Sequence, residues 1–296
     1  MLRVRDLRVG IGALKILRGV DLDIARGETV GLVGEGGSGK SMLALAIMGL
    51  LPDAAHAEGS VRFEDAELLH ADEPTLCRVR GARIAMVFQE PATALDPRVP
   101  IGRQVAEAAR AHGVAAPAAR ARALLARVGL AGVSPGAYPH QMSGGQRQRA
   151  MIAGALVCEP PLLLADEPTT ALDTITQAGV LELLAELAAE RQMAMLLISH
   201  DLNVVARATA RTAVMYAGRI VETARTPVRP RHPYTAALLA ASSVAAALPK
   251  PIPGAMPGPR DLPPGCAYAP RCPRADAACA VDPTLVDGVA CHHPFW

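Results

Sequence analysis

The stretch Gly34-Glu35-Gly36-Gly37-Ser38-Gly39-Lys40-Ser41 constrains this chain more than any other. It follows an apolar run, Thr29 to Val33, and precedes a helical pattern, Met42 to Leu50, so its context is strand, tight turn and helix N-terminus. Glycines let the backbone turn where a Cβ would clash, and successive N–H groups can then face one anion. The helix dipole adds positive potential at the same place. The pattern predicts a phosphate cradle made by Gly34, Gly36, Gly37, Ser38 and Gly39. Lys40 would reach the β- and γ-phosphates of a nucleotide, and the Ser41 hydroxyl would meet Mg²⁺.

A chain of 296 residues can bury a large core and carry more than one structural unit. Apolar residues make up 51% and aromatics only 3%, so that core must be aliphatic and rich in alanine. The net charge of +2 and the lack of a basic stripe interleaved with aromatics argue against nucleic acid as a partner. Met1 to Asp6 has no apolar core of a signal peptide, and no apolar run approaches the ~18 residues that span a bilayer. The expectation is a cytosolic chain that needs other subunits if it works at a membrane. Of six cysteines, Cys77 and Cys158 are isolated and read as ordinary buried or semi-buried thiols, whereas Cys266, Cys272, Cys279 and Cys291 crowd the end. In a cytosolic protein such clustering favours metal over disulfides.

Alternation over Leu2 to Val9 and Val20 to Ile24, with short candidates at Val61 to Phe63 and Arg83 to Phe88, predicts strands of a small antiparallel sheet beside a nucleotide-binding core. From Pro91 to about Val157 the pattern is helical, with Ile101 to Ala111, Ala118 to Val128 and Gln146 to Val157 as its periodic segments. Leu162 to Ala165 is continuously apolar, as a parallel strand buried on both faces would be. Helix (Thr174 to Arg191), strand (Met193 to Ile198), helix (Asp201 to Ala210) and strand (Thr212 to Tyr216) follow, which predicts an α/β sheet. After Glu222 prolines exclude regular structure over most of the tail, apart from a short helix at Tyr234 to Ala241. Composition alone would make this tail a linker, but its cysteines predict that its end is pinned.

Five further motifs follow the phosphate loop. Gln89 comes after a strand; Ser143-Gly144-Gly145-Gln146 opens a helix; Asp166-Glu167-Pro168 ends the apolar strand; Thr170-Ala171-Leu172-Asp173 comes next; Ile198-Ser199-His200-Asp201 ends another strand. In this order they resemble the ATPase subunit of an ABC transporter over residues 2 to about 222. Three stretches are similar to the peptide-importer branch, which handles dipeptides, oligopeptides and sometimes nickel: Phe88 to Pro97, Tyr138 to Gly145, and Arg231 to Thr235. The resemblance implies an ABC-type phosphate-loop ATPase core at 1–230, with an antiparallel β-subdomain and a helical subdomain at about 91–157. An irregular, cysteine-containing extension follows at 231–296.

The resemblance also implies roles. Asp166 would hold Mg²⁺ beside Ser41, with Gln89 touching the metal or the attacking water. Glu167 would polarise that water as base, and His200 would brace the γ-phosphate. Ser143, Gly144, Gly145 and Gln146 would complete the ATP site of a second ATP-binding subunit, identical or paralogous, with Asp173 at that interface. The implied assembly adds two transmembrane permeases and an extracytoplasmic substrate-binding protein, with this subunit peripheral on the cytoplasmic face of the inner membrane. The implied activity is ATP hydrolysis that drives import of di- and oligopeptides. A nickel or metal-chelate importer, and more remotely a soluble ABC ATPase of translation or DNA repair, are the alternatives. Ile11 stands where the family often places an aromatic ring for adenine, and Gly36 where relatives commonly have Ser.

The four tail cysteines are separated by five, six and eleven residues, without the close pair usual in structural zinc sites. Four thiolates are the usual ligand set of a cubane cluster, and similar tails occur in the peptide-importer branch. A 4Fe–4S cluster on Cys266, Cys272, Cys279 and Cys291 is the leading expectation, with zinc as runner-up and reduced thiols or disulfides as the remainder. His292 and His293 leave a mixed site open. The separation along the chain from the phosphate loop predicts a structural or redox-sensing role, not a catalytic one.

Overall fold

The computed structural model describes residues 1–169, 172–242 and 251–295, so the Thr170-Ala171 pair lies outside the described residues. Strands run in the order β1 (Leu2–Ile11), β2 (Leu14–Ile24), β3 (Thr29–Val33), β4 (Ala55–Phe63), β5 (Ala66–Glu67), β6 (Ile84–Val87), β7 (Leu162–Asp166), β8 (Ala194–Ser199), β9 (Arg211–Tyr216) and β10 (Arg219–Arg225). The helices are α1 (Lys40–Met48), α2 (Glu73–Val79), α3 (Pro91–Ala94), α4 (Ile101–Ala111), α5 (Pro117–Leu125), α6 (Gly144–Leu156), α7 (Thr174–Glu190), α8 (Leu202–Ala208) and α9 (Pro233–Ser242). They fall into two compact units. One comprises Met1–Ala25, Thr29–Ala71 and Ile198–Trp296, the other Arg26–Glu28 and Asp72–Leu197.

The first unit contains an antiparallel sheet in the order β2-β1-β4-β5. Alternation explains β1: Leu2, Val4, Leu7 and Val9 are buried, while Arg3, Arg5 and Arg8 face outward. In the same unit β3 pairs parallel with β9, from Val30 opposite Arg211 to Val33 opposite Val214, and β10 pairs antiparallel with β9. Strand β2 starts earlier than the sequence pattern predicts, because Gly12 takes the positive φ of 56° that the turn between β1 and β2 needs. Strand β4 starts earlier because it pairs with β1 as far as Ala55 opposite Ile11. Strand β10 was not predicted at all; it lies where the proline-rich composition begins, yet Ile220 and Glu222 alternate inward.

The end of the chain is indeed pinned, and the pin is a sheet edge. The Thr223 N–H donates to the Gly288 carbonyl at 2.7 Å and the Ala290 N–H to the Val221 carbonyl at 2.8 Å, so the tail covers the open side of β10. Glu222, fully buried, accepts the N–H groups of Arg231 at 2.9 Å and His232 at 2.8 Å. A buried carboxylate spent on two backbone donors fixes the path into α9. Three of the chain's four tyrosines meet here: Tyr216 of β9, Tyr234 of α9 and Tyr268 of the tail lie with ring centroids 4.5 to 5.4 Å apart. An otherwise aliphatic core thus concentrates its aromatic contacts at the seam between cassette and tail.

The second unit holds residues 194–197 of β8, then β7 and β6 in that order, with β6 parallel to β7. All five residues of β7 are buried, as its apolar run requires. Helix α4 has the predicted bounds; the helix predicted to reach Val128 ends as α5 at Leu125, and a π-helical turn follows because Gly129 adopts φ 83°. Helix α2 was missed, although Asp72 caps it by accepting the Thr75 N–H at 3.0 Å and Pro74 sits in its first turn. Among the described residues, no helix is long and apolar enough to cross a membrane.

Candidate functional site

In the first unit the chain leaves β3 and enters α1 through the predicted phosphate loop. Gly34 has no alternative: a Cβ there would stand 2.2 Å from the Met215 carbonyl oxygen. Gly37 and Gly39 adopt φ of 80° and 106°, and Gly36 faces open space. The Ser38 N–H donates to the Glu35 carbonyl at 3.2 Å, and the Gly218 N–H ties Ser38 to the β9–β10 turn at 2.9 Å. Lys40, 5% exposed, curls back so that its ammonium meets the carbonyls of Gly34 at 2.8 Å and Glu35 at 3.0 Å. A cation is thus stored at the loop, while Ser41 is exposed at the helix N-terminus. His200 is exposed after β8, and its neighbour Asp201 caps α8 by accepting the Asn203 N–H at 2.8 Å.

The tail reaches this loop. Arg271 makes a two-pronged pair with the Glu35 carboxylate, at 2.8 and 3.0 Å, and its side chain is 4% exposed. The guanidinium also donates to the Tyr216 hydroxyl at 3.2 Å and packs against the Tyr216 and Tyr268 rings. Burial opposes the Arg271 charge, but the hydrogen bonds to Glu35 and Tyr216 outweigh it and raise its pKa. From α9, the Tyr234 hydroxyl accepts the Glu35 N–H at 2.8 Å, and burial pushes its ionisation well above the ordinary range. The chain separation of the tail from the phosphate loop therefore misleads. Neither Arg271 nor Tyr234 was singled out as a site residue; the signal for them was Glu35 itself, an acid placed in a loop built for anions.

The four tail cysteines lie in one folded segment. Burial raises the pKa of Cys266, Cys272 and Cys291, and each of them is raised further by neighbouring thiols of the set, Cys279 in every case. The Cys266 N–H donates to the Cys279 carbonyl at 3.0 Å, and all six cysteines are free. Among the described residues, the tightest group of ligand atoms is mixed: Asp276, Cys279 and His293 bring theirs within 4.8 Å of one another.

In the second unit, Asp166 ends β7 at 5% exposure and Glu167 follows in the left-handed region, at φ 45°. That conformation is costly for a residue with a Cβ and re-aims the side chain at the strand end. Gln89, exposed beyond β6, points its amide at the Glu167 carboxylate at 3.4 Å. Ser143 caps α6 reciprocally: its hydroxyl accepts the Gln146 N–H at 3.2 Å, and the Gln146 side chain accepts the Ser143 N–H at 2.9 Å. Gly144 is exposed and Gly145 half-buried in that first turn. The Asp173 carboxylate starts α7, accepting the Thr176 N–H at 3.0 Å and its hydroxyl at 2.7 Å. Two large grooves lie elsewhere. One of about 790 Å³, lined by Lys15, Arg18, His56 and Arg260, runs along the β1–β2 hairpin; one of about 750 Å³ is lined by Arg26, Glu159 and Arg191.

Residues 17–170 match the family described as ABC transporter, and residues 221–279 match the oligopeptide/dipeptide transporter C-terminal region. The chain is 47% identical to the oligopeptide transport ATP-binding protein AppD of Bacillus subtilis, over 88% of this chain and 84% of that one. It is 43% identical to the dipeptide transport ATP-binding protein DppD of Haemophilus influenzae, over 100% and 96%. A solved structure titled as a dimeric post-hydrolysis state of the ATP-binding cassette MJ0796 bound to ADP and Pi superimposes with a TM-score of 0.69. It is 29% identical and covers 77% of this chain and 100% of that one.

Proposed function

The chain belongs to the ABC transporter family, in its oligopeptide/dipeptide branch, and on that premise we propose that it hydrolyses ATP to energise uptake of di- and oligopeptides. Hydrolysis is mainly positioning and charge stabilisation, and the residues divide accordingly. Backbone N–H groups of Gly34 to Gly39 and the stored Lys40 ammonium are assigned to the phosphates. Ser41, Gln89 and Asp166 offer hydroxyl, amide and carboxylate oxygens, the hard donors that suit Mg²⁺. When bound, that ion neutralises charge on the β- and γ-phosphate oxygens.

Glu167 carries the proposal: it follows a buried acid, holds a strained backbone and receives the Gln89 amide. It takes a proton from water as the water oxygen bonds to the γ-phosphorus. The bond from that phosphorus to the β–γ bridging oxygen breaks, leaving ADP and phosphate. His200 is assigned to the γ-phosphate oxygens. The exposed first turn of α6, Ser143 to Gln146, is assigned with Asp173 to the nucleotide of a second cassette, identical or paralogous. Its capped, small-residue N-terminus and the dimeric state of the MJ0796 cassette support that assignment. Two permeases would hold the subunit at the cytoplasmic face of the inner membrane and receive cargo from a substrate-binding protein. The test is Glu167→Gln in the full chain. It should still bind MgATP and lose about 10²- to 10⁴-fold in turnover; wild-type rates would remove Glu167 from the mechanism.

In the tail, Cys266, Cys272, Cys279 and Cys291 are proposed to hold a 4Fe–4S cluster, because four thiols within one proline-rich segment are the ligand set that such a cluster takes. Bound, it would cross-link a segment with little apolar content of its own.

A further inference from the structure

A carboxylate in a phosphate-binding loop is an electrostatic error unless something cancels it. Glu35 sits between Gly34 and Gly36, and the charge it carries has the sign of the ligand. The cancelling charge comes from 236 residues further along: Arg271 meets both Glu35 oxygens at 2.8 and 3.0 Å from a side chain that is almost wholly buried. The same side chain is itself fixed, by the Tyr216 hydroxyl at 3.2 Å and by the carbonyl oxygens of Pro253 at 2.7 Å and Gly254 at 3.3 Å. Tyr234 holds the other end of the residue through the Glu35 N–H. The Met256 methyl lies near the loop too, 3.4 Å from where a Gly37 side chain would begin. Every one of these partners lies beyond the phosphate loop, in β9, α9 or the tail.

We propose that the cysteine-bearing tail supplies Arg271 as the counter-charge and brace of the phosphate loop, so that nucleotide affinity depends on the folded state of the tail. Arg271 is a positioning residue: it acts on the phosphates through Glu35 and the backbone that Glu35 belongs to. Three features make the coupling direct. Glycines at four of the eight loop positions leave a large conformational freedom to be restrained. Arg271 adjoins Cys272, so whatever orders the thiols also sets the guanidinium. Finally, the 3₁₀ turn that presents Arg271, Ala269 to Arg271, is anchored by the Cys272 N–H on the Ala269 carbonyl at 3.2 Å and the Ala269 N–H on the Cys266 carbonyl at 3.0 Å. Linkage then requires reciprocity: a nucleotide that favours the braced loop must also favour the folded tail.

The inference rests on the assignment of residues 34–41 to phosphate binding, and the experiment separates the two. MgATP affinity is measured by titration of the full chain as wild type, Lys40→Ala, Arg271→Gln, Glu35→Gln and the Arg271→Gln/Glu35→Gln pair. Arg271→Gln keeps most of the stem that packs on the tyrosines and removes the charge, so affinity should fall about tenfold. Removing Glu35 as well should restore it to within about threefold of wild type, because the uncancelled carboxylate is gone. In parallel, hydrogen exchange of residues 266–279 in the wild type should slow when MgATP is added, an effect that Arg271→Gln abolishes. Normal binding by Lys40→Ala would overturn the phosphate-loop assignment. Binding abolished by Lys40→Ala but unchanged in Arg271→Gln, or weakened in Arg271→Gln and not repaired by Glu35→Gln, would overturn the brace alone. If Arg271→Gln does not fold, the wild-type exchange experiment still decides, since absence of protection by MgATP overturns the coupling.

Discussion

The phosphate loop and the tail are both poor in regular structure, and they are held by opposite means. The loop is a contiguous run whose shape is set by backbone that only glycine tolerates, such as φ 106° at Gly39 and the close approach of Gly34 to β9. The tail is a set of scattered side chains gathered over long chain separations: Cys266 with Cys279, Thr223 with Gly288, Arg271 with Glu35. The loop's shape is written in its own residues, and it needs a distant partner to cancel Glu35. A gathered shape depends on each of its partners, and here one of them is the loop itself.

The largest effect should come from removing whatever orders the thiols. Anaerobically purified protein should be brown, absorb broadly near ~400 nm and carry about four irons per chain. Stripping the metal should release residues 266–291 to fast exchange, because binding energy there is folding energy. Colourless protein with stoichiometric zinc would replace the cubane by another metal, and a metal-free, fully protected tail would end the contrast.

A smaller loss should follow Gly34→Ala, whose Cβ would collide with main chain at 2.2 Å. Displacing that backbone at a cost of up to about 3 kcal/mol predicts roughly a hundredfold weaker MgATP binding. Gly36→Ala, with nothing within 4 Å, should stay within about twofold. Equal affinities for the two variants would show that steric shape is not what specifies the loop.

The smallest effect concerns His232, whose pKa burial pushes down to about 4. Below about pH 6.5 the unfolded chain takes up a proton that the folded one refuses, so stability falls as pH drops and levels off near pH 4. Between pH 7 and pH 5 the loss should be about 2 kcal/mol. Urea titrations of wild type and His232→Asn at both pH values check it; parallel losses would place the acid sensitivity outside the tail seam.

The contrast also explains what could be read from residues in order. The phosphate loop, β7 with Asp166 and Glu167, and the capped start of α6 are encoded by adjacent residues, and each lies where its pattern places it. Helix α4 was legible to the residue, since it follows Pro100 and keeps Ile101, Val105 and Ala109 on its buried face. Strand β10 was not, because the prolines after it masked a short alternation. The Arg271–Glu35 pair was illegible for a deeper reason: no local pattern records which of 30 basic residues will meet a given acid. Only the misplaced sign of Glu35 hinted that one must.

The covered edge of β10 bears on how this chain can be taken apart and reused. Written at the end of the sequence, the tail looks like an appendix that could be trimmed from one cassette and grafted to another. Its anchors say otherwise: Glu222 of β10, Tyr216 of β9 and Glu35 all belong to the host, and each would have to travel with it. A cut near residue 230 leaves a raw strand edge, an unpaired buried acid and an uncancelled charge at the loop. Tail and cassette are thus one inheritable piece, and a chimera would have to carry the whole seam across.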